Sequence, residues 1–174
     1  AIEEYGIPGF TLMQRAGQAA FDAIKNKWPD TNMVVCFCGT GNNGGDGYVI
    51  SALAKKNGME ALVIALGNLN SLKDDARKAY VTAKENNVRI IPFPEFNPTD
   101  LASLPSTTVV IDALLGTGLT GIVRGSYVNA IEFINASDWP VLAADIPSGL
   151  CSDSGTVLGN AVKANITVTF IGRK

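Results

Sequence analysis

The chain has 174 residues, 47% of them hydrophobic and 17% charged, with a formal net charge of −2. That size and balance describe one core-forming domain and exclude a disordered chain. Lysine and arginine are scattered rather than striped, which argues against a nucleic-acid surface, and the longest apolar runs are far short of a membrane span.

Apolar positions at helical spacing (Leu12, Met13, Ala16, Ala19, Ala20, Ala23, Ile24) predict an opening helix from Thr11 to about Lys27, stopped by Pro29. MVVCFC, Met33 to Cys38, reads as a short buried strand. The glycine-rich GTGNNGGDG follows, then a helix from about Gly45 to Lys56 that ends before Gly58. ALVIAL, Ala61 to Leu66, is the next strand, and Leu72 to Asn86 is a helix with a charged, solvated face. A weaker strand opens at Val88, and four prolines between Pro92 and Pro105 mark a loop with room for a short helix. TTVVIDALLG supplies a strand ending near Asp112, and Val128 to Ala136 is helical. PVLAADIPSG gives a strand ending near Asp145, and NITVTFIG a final strand. Near-continuous apolar strands alternating with helices predict an α/β fold with a mostly parallel sheet covered on both faces. No repeat, low-complexity segment or linker divides the chain, so residues 1–174 are expected to form a single domain.

Three cysteines are too few for a disulfide framework, and Cys36 and Cys38 share one sheet face without C-x-x-C spacing. No secretory signal is visible at Ala1, and a reduced, cytoplasmic protein is expected. The chain has no histidine, which removes the commonest general base and argues against zinc.

In a parallel sheet, ligands collect beyond the carboxyl ends of the strands. Three unusual stretches fall there: GTGNNGGDG after the first strand, DALLGTGLTG after the fourth and DIPSGL after the fifth. Gly39, Gly41 and Gly44 match the dinucleotide-binding spacing between strand and helix. The second strand, however, ends in ALGN, with no acid for a ribose. Asp46, expected in the first helical turn, would occupy the positive end that a pyrophosphate needs. The loop also lacks the Gly-Lys-Ser/Thr ending of a P-loop. Asn43, Asp112 and Ser148, with backbone carbonyls, suit an all-oxygen cation site instead, and one formal negative charge favours a monovalent ion over Mg²⁺ or Ca²⁺. A second reading stays open, in which Asp112 and Asp145 cap loops by accepting backbone N–H bonds.

GTGNNGGDGYVISALA, DALLGTGL, ADIPSGL and ITVTFIGRK, in this order and preceded by LMQRAGQAA, resemble the NAD(P)H-hydrate epimerase family over essentially the whole chain. The resemblance implies a Rossmann-like three-layer α/β/α sandwich, a homodimer, and interconversion of the R and S forms of NADHX and NADPHX. These are nicotinamide cofactors hydrated at C6, and a separate or fused dehydratase, consuming ATP or ADP, would restore the S form. It further implies Asn43, Asp112 and Ser148 as potassium ligands. Asn42, Asn43, Gly44, Gly45 and Asp46, together with Gly116, Thr117, Gly118, Leu119, Thr120, Gly121 and Ile122, correspond to substrate-binding segments. Asp145 corresponds to a substrate-contacting carboxylate, and Lys174 to a lysine placed to meet a phosphate. The chain departs from the family's usual opening helix at Gln14 and Arg15. It stops at Lys174, where relatives continue, so a domain truncated at its C-terminal end is expected.

With no histidine, Asp145 is expected to act as the acid/base. Asp46 competes for that role, its plainer reading being a charge at a helix N-terminus. The alternative to catalysis is a nucleotide-binding or protein-interaction module.

Overall fold

The apolar runs become strands whose two faces are both covered, as the computed structural model, describing residues 7–170, shows. Every residue of β1 (Met33–Cys38) and β4 (Thr108–Ala113) is buried. Around them the chain forms α1 (Gly9–Lys27), α2 (Asn42–Lys56), β2 (Glu60–Ala65), α3 (Asp74–Glu85), β3 (Arg89–Pro92), α4 (Ser126–Ala136), β5 (Val141–Ala144) and β6 (Ile166–Val168). The proline-rich stretch holds two short 3-10 turns, Phe93–Glu95 and Pro98–Leu101.

The strands are ordered β3-β2-β1-β4-β5-β6, and every neighbouring pair is parallel. This is the doubly wound order whose direction reverses between β1 and β4, so the carboxyl ends of those strands form the switch point. Strand alternation divides the core. Val34, Cys36 and Cys38 lie under the face that α1, α2 and α3 cover, with Ile24, Ile50 and Ala79 above them. Val35 and Phe37 face Ile131 and Ile134 of α4 on the other side, where Phe96 and Phe133 extend the packing. The expected three-layer α/β/α sandwich is therefore present.

Wedged between α1 and α3, α2 is buried from Asn43 through Ala52. Small residues make that possible. A methyl group at Gly45 would collide with Met13 and the backbone of Ala76, and one at Gly17 with Val49. At Gly47 it would meet Cys38 Sγ and the Ala113 side chain. The glycine density of this loop is largely the requirement of a helix seated hard against both the sheet and two other helices.

Several helix ends shift by one or two residues from the sequence reading, and two boundaries differ in ways that bear on the site. α2 begins at Asn42 rather than Gly45, because extended Gly41 (φ −89°, ψ −170°) is already its N-cap. Among the described residues, the final strand pairs only over Ile166–Val168. Asp145 leaves β5 at φ +66°, so its partner strand has nothing regular to continue alongside.

Candidate active site

The ends of β1, β4 and β5 bring Asn43, Asp112 and Ser148 into one hydrogen-bonded network. Asp112, the penultimate residue of β4, is fully buried. The Ser148 backbone N–H donates to its Oδ2 at 2.7 Å and the Ser148 hydroxyl to its Oδ1 at 2.5 Å. Leu114 N–H adds a longer bond of 3.3 Å to Oδ1. Leu115 N–H in turn donates to Ser148 Oγ at 2.9 Å, and the Leu115 carbonyl accepts from Asn43 Nδ2 at 3.1 Å. Residues 43, 112 and 148 are thus tied together through a single backbone unit that the sequence reading did not single out. Nothing at the sequence level marks Leu115, since it contributes only its main chain.

The network leaves two electrostatic demands. Asn43 is 8% exposed, and its Oδ1 is buried with no hydrogen-bond partner. Asp112 has no cationic partner among the described residues, whose only ion pairs are Lys55–Glu60 and Lys78–Asp75. Burial pushes the Asp112 carboxyl up to about 6, while its bonds from Ser148 and Leu114 hold it back from rising further. Asp112 accepts backbone N–H bonds, as the loop-capping reading requires. A buried carbonyl oxygen without a donor is equally what a cation site needs.

Asp46 is not the helix-terminal charge of the simpler reading. With the helix starting at Asn42, it falls in the second turn, where the terminal dipole is weaker. It is 8% exposed, and burial, reinforced by the negative charge of Asp145, pushes its carboxyl up to about 8. The objection that Asp46 would place a charge at the positive end of the helix therefore falls away at neutral pH.

Asp145, half-buried, occupies a left-handed backbone conformation that few residues other than glycine, asparagine and aspartate tolerate. Its carbonyl accepts from Thr169 Oγ1 at 3.1 Å, which links the end of β5 to the segment after β6. Asp145 also lines a cleft of about 440 Å³ with Cys151, Ser152, Ser154, Thr167 and Thr169. The sequence reading missed those last five. A signal existed in the alternating threonines of TVT and the hydroxyl-rich CSDSG that follows DIPSGL. The Cys151 thiol is lowered from its ordinary range by hydrogen bonding with Ser154, while burial pushes Cys36 up to about 12.

The remaining candidate residues are spread along two segments. Asn42 is exposed at the start of α2, and Gly44 lies directly against the Gly39 backbone. Gly116 sits over the Asn43 side chain, and the Thr117 carbonyl accepts from Ser152 Oγ at 3.3 Å. Leu119 packs back on the core, whereas Gly118, Thr120 and Gly121 are exposed and Ile122 is 61% exposed. The loop 116–122 therefore reaches from the oxygen network out to solvent. Lys174 lies outside the described residues.

The family model described as YjeF-related protein N-terminus matches residues 9–174. A Coxiella burnetii protein named bifunctional NAD(P)H-hydrate repair enzyme Nnr is 46% identical over 98% of this chain, which spans 34% of that protein. A Limosilactobacillus fermentum protein named NAD(P)H-hydrate epimerase is 38% identical over 97% of this chain and 78% of its own length. The chain thus spans about a third of the bifunctional relative and most of the shorter one. Among solved structures, the yeast protein ynu0 superposes with a TM-score of 0.79 at 21% identity, covering 91% of this chain and 69% of its own, a likeness of fold.

Proposed function

We propose that this chain, which belongs to the family of YjeF-related protein N-termini, is an NAD(P)H-hydrate epimerase that interconverts the R and S forms of NADHX and NADPHX. The observation that carries the reading is the placement of Asp145. It stands at the carboxyl end of β5 in a left-handed conformation, on the rim of a cleft and within electrostatic reach of the buried Asp46. Strained backbone at a strand end is common at functional sites, and in a chain without histidine a carboxylate is the natural proton handler.

The hydrated ring carries a hydroxyl on C6 next to N1. Inverting C6 requires either loss and return of that hydroxyl or opening and reclosing of the C6–N1 bond. Asp145 accepts or returns the proton in this scheme. Asn42 to Asp46 and Gly116 to Ile122 hold the substrate between the β1 and β4 ends. Asn43, Asp112 and Ser148 would hold a potassium ion. The partnerless Asn43 Oδ1 and the uncompensated Asp112 support that assignment. When bound, the ion would supply a fixed positive charge that offsets the buried Asp112 carboxylate.

A homodimer, a cytoplasmic location and a dehydratase that consumes the S form belong to the same reading. Exposed Ile122 and Val157, on adjoining segments, offer apolar surface for self-association. No helix among the described residues is long and apolar enough to cross a membrane.

The test is Asp145→Asn, a replacement that tolerates the same left-handed backbone. Starting from R-NADHX, formation of the S form is followed by coupling to an S-specific dehydratase. Loss of general acid/base catalysis lowers turnover by about 10²–10⁴-fold. A folded variant with near-normal turnover would remove Asp145 from the mechanism.

A further inference from the structure

We infer that Asp46 is the second catalytic carboxyl of this site, the proton donor that works opposite Asp145 during inversion at C6. This rests on the epimerase reading and adds a residue that the reading leaves as part of a binding segment.

A nearly buried carboxyl without protein partners is the first observation. Asp46 is 8% exposed, and among the described residues it accepts no hydrogen bond from a side chain and forms no ion pair. Its oxygens are not among the fully enclosed side-chain oxygens that lack a partner, so the carboxyl keeps access to solvent, as a group that meets a ligand must. Neither helix capping nor the helix dipole explains it, because α2 begins four residues earlier at Asn42 and its N-cap is Gly41.

Its surroundings are the second. One helical turn before it stands Asn43, nine-tenths buried, with its Oδ1 unpartnered in the same site. The groups that bear on Asp46 are the Asp145 carboxylate from β5 and the Cys38 thiol from β1, which also feels Asp112 of β4. The flanking helices contribute apolar Met13 and Ala76 at neighbouring Gly45. Burial and the charge of Asp145 push the Asp46 carboxyl up to about 8.

The chemistry has two roles that such a pair can divide. In ring opening, a base takes the proton of the C6 hydroxyl and C6=O forms. The C6–N1 bond breaks with its electron pair going to N1, and N1 takes a proton from an acid. Rotation about C5–C6 and the reverse steps close the ring on the other face. In the dehydration route, the acid protonates the hydroxyl, which leaves as water while the N1 lone pair forms N1=C6. Water then adds to the opposite face and gives its proton to the base. Both routes are redox-neutral, and each has a step that needs a proton donor and a step that needs a proton acceptor. A protonated Asp46 and Asp145 supply the two roles from different positions, without one carboxyl having to carry its proton between them.

The experiment compares the full chain with Asp46→Asn, reading R-to-S NADHX conversion from pH 5.5 to 9.5 and checking the fold by circular dichroism. The expected result is wild-type turnover that declines as pH rises through about 8. In the folded variant, kcat is expected at least about 100-fold lower, with KM within about threefold and the alkaline decline gone. A wild-type protein that does not interconvert the epimers overturns the epimerase reading and this inference with it. An active wild type beside a folded variant within about threefold of its kcat overturns the inference alone. Should the variant not fold, the wild-type profile decides, because turnover that stays level from pH 7 to 9.5 is incompatible with a protonated Asp46 as donor.

Discussion

Gly44→Ala sets two local effects against each other, and the structure decides the sign. Gly44 lies inside α2, where alanine is favoured over glycine by about 1 kcal/mol. A Cβ built at this position, however, lies 2.0 Å from the Gly39 carbonyl oxygen and 2.7 Å from its carbon. These are backbone atoms, and Gly39 has nowhere to retreat. Its N–H is bonded to the Ala113 carbonyl at 3.0 Å, and its own Cα faces the Leu114 carbonyl so closely that a methyl there would lie 2.0 Å from that oxygen. The start of α2 must therefore lift off the sheet. Overpacking costs about 1–3 kcal/mol, and the rigid partner puts this site at or above the upper end. Subtracting the propensity gain leaves a net loss of about 2 kcal/mol or more. For a chain of this length that is a fall of about 4–8 °C in Tm, read by thermal denaturation at 222 nm in a fixed buffer. Gly118→Ala is the control, because nothing lies within 4 Å of its Cβ position. It should stay within about 0.5 kcal/mol of wild type. A Gly44→Ala protein that melts at or above the wild-type temperature would refute the view that glycine is there for packing.

Potassium should raise Tm relative to tetramethylammonium at equal ionic strength, by about 2.7 kcal/mol of stability at a hundredfold excess over Kd. Ser148→Ala should flatten that response, and equal melting of the wild type in both salts would count against the cation site. Stability should also depend on pH in an unusual direction. The Asp46 and Asp112 carboxyls rise from an ordinary 3.8 to about 8 and about 6 in the folded protein, so between those values the native state holds protons that the unfolded chain has released. Their contribution is fully present below pH 3.8 and is lost as pH climbs through the folded values. Tm should therefore fall from pH 6 to pH 8, and Asp46→Asn should remove most of that slope. A slope unchanged in the variant would mean that Asp46 is ionised throughout.

The amino-acid order by itself determined the layered fold and the edge where ligands collect. Strands buried on both faces need no alternation, so their apolar runs stand out, and the glycine, aspartate and serine that interrupt them mark the strand ends. Asn43, Asp112 and Ser148 could be grouped from residue type because they share that edge. Tertiary structure alone decided the rest. That Leu115 ties the three together depends on its main chain, which residue type does not report. Whether Asp46 is a surface charge or a buried acid turned on where the helix starts and on how deeply that part of α2 is buried. A side chain's protonation follows from the solvent and charges around it, and those are supplied by residues distant in the chain. The conformation of Asp145, the hydroxyl-lined cleft beside it and the early end of β6 likewise arise where separate segments meet.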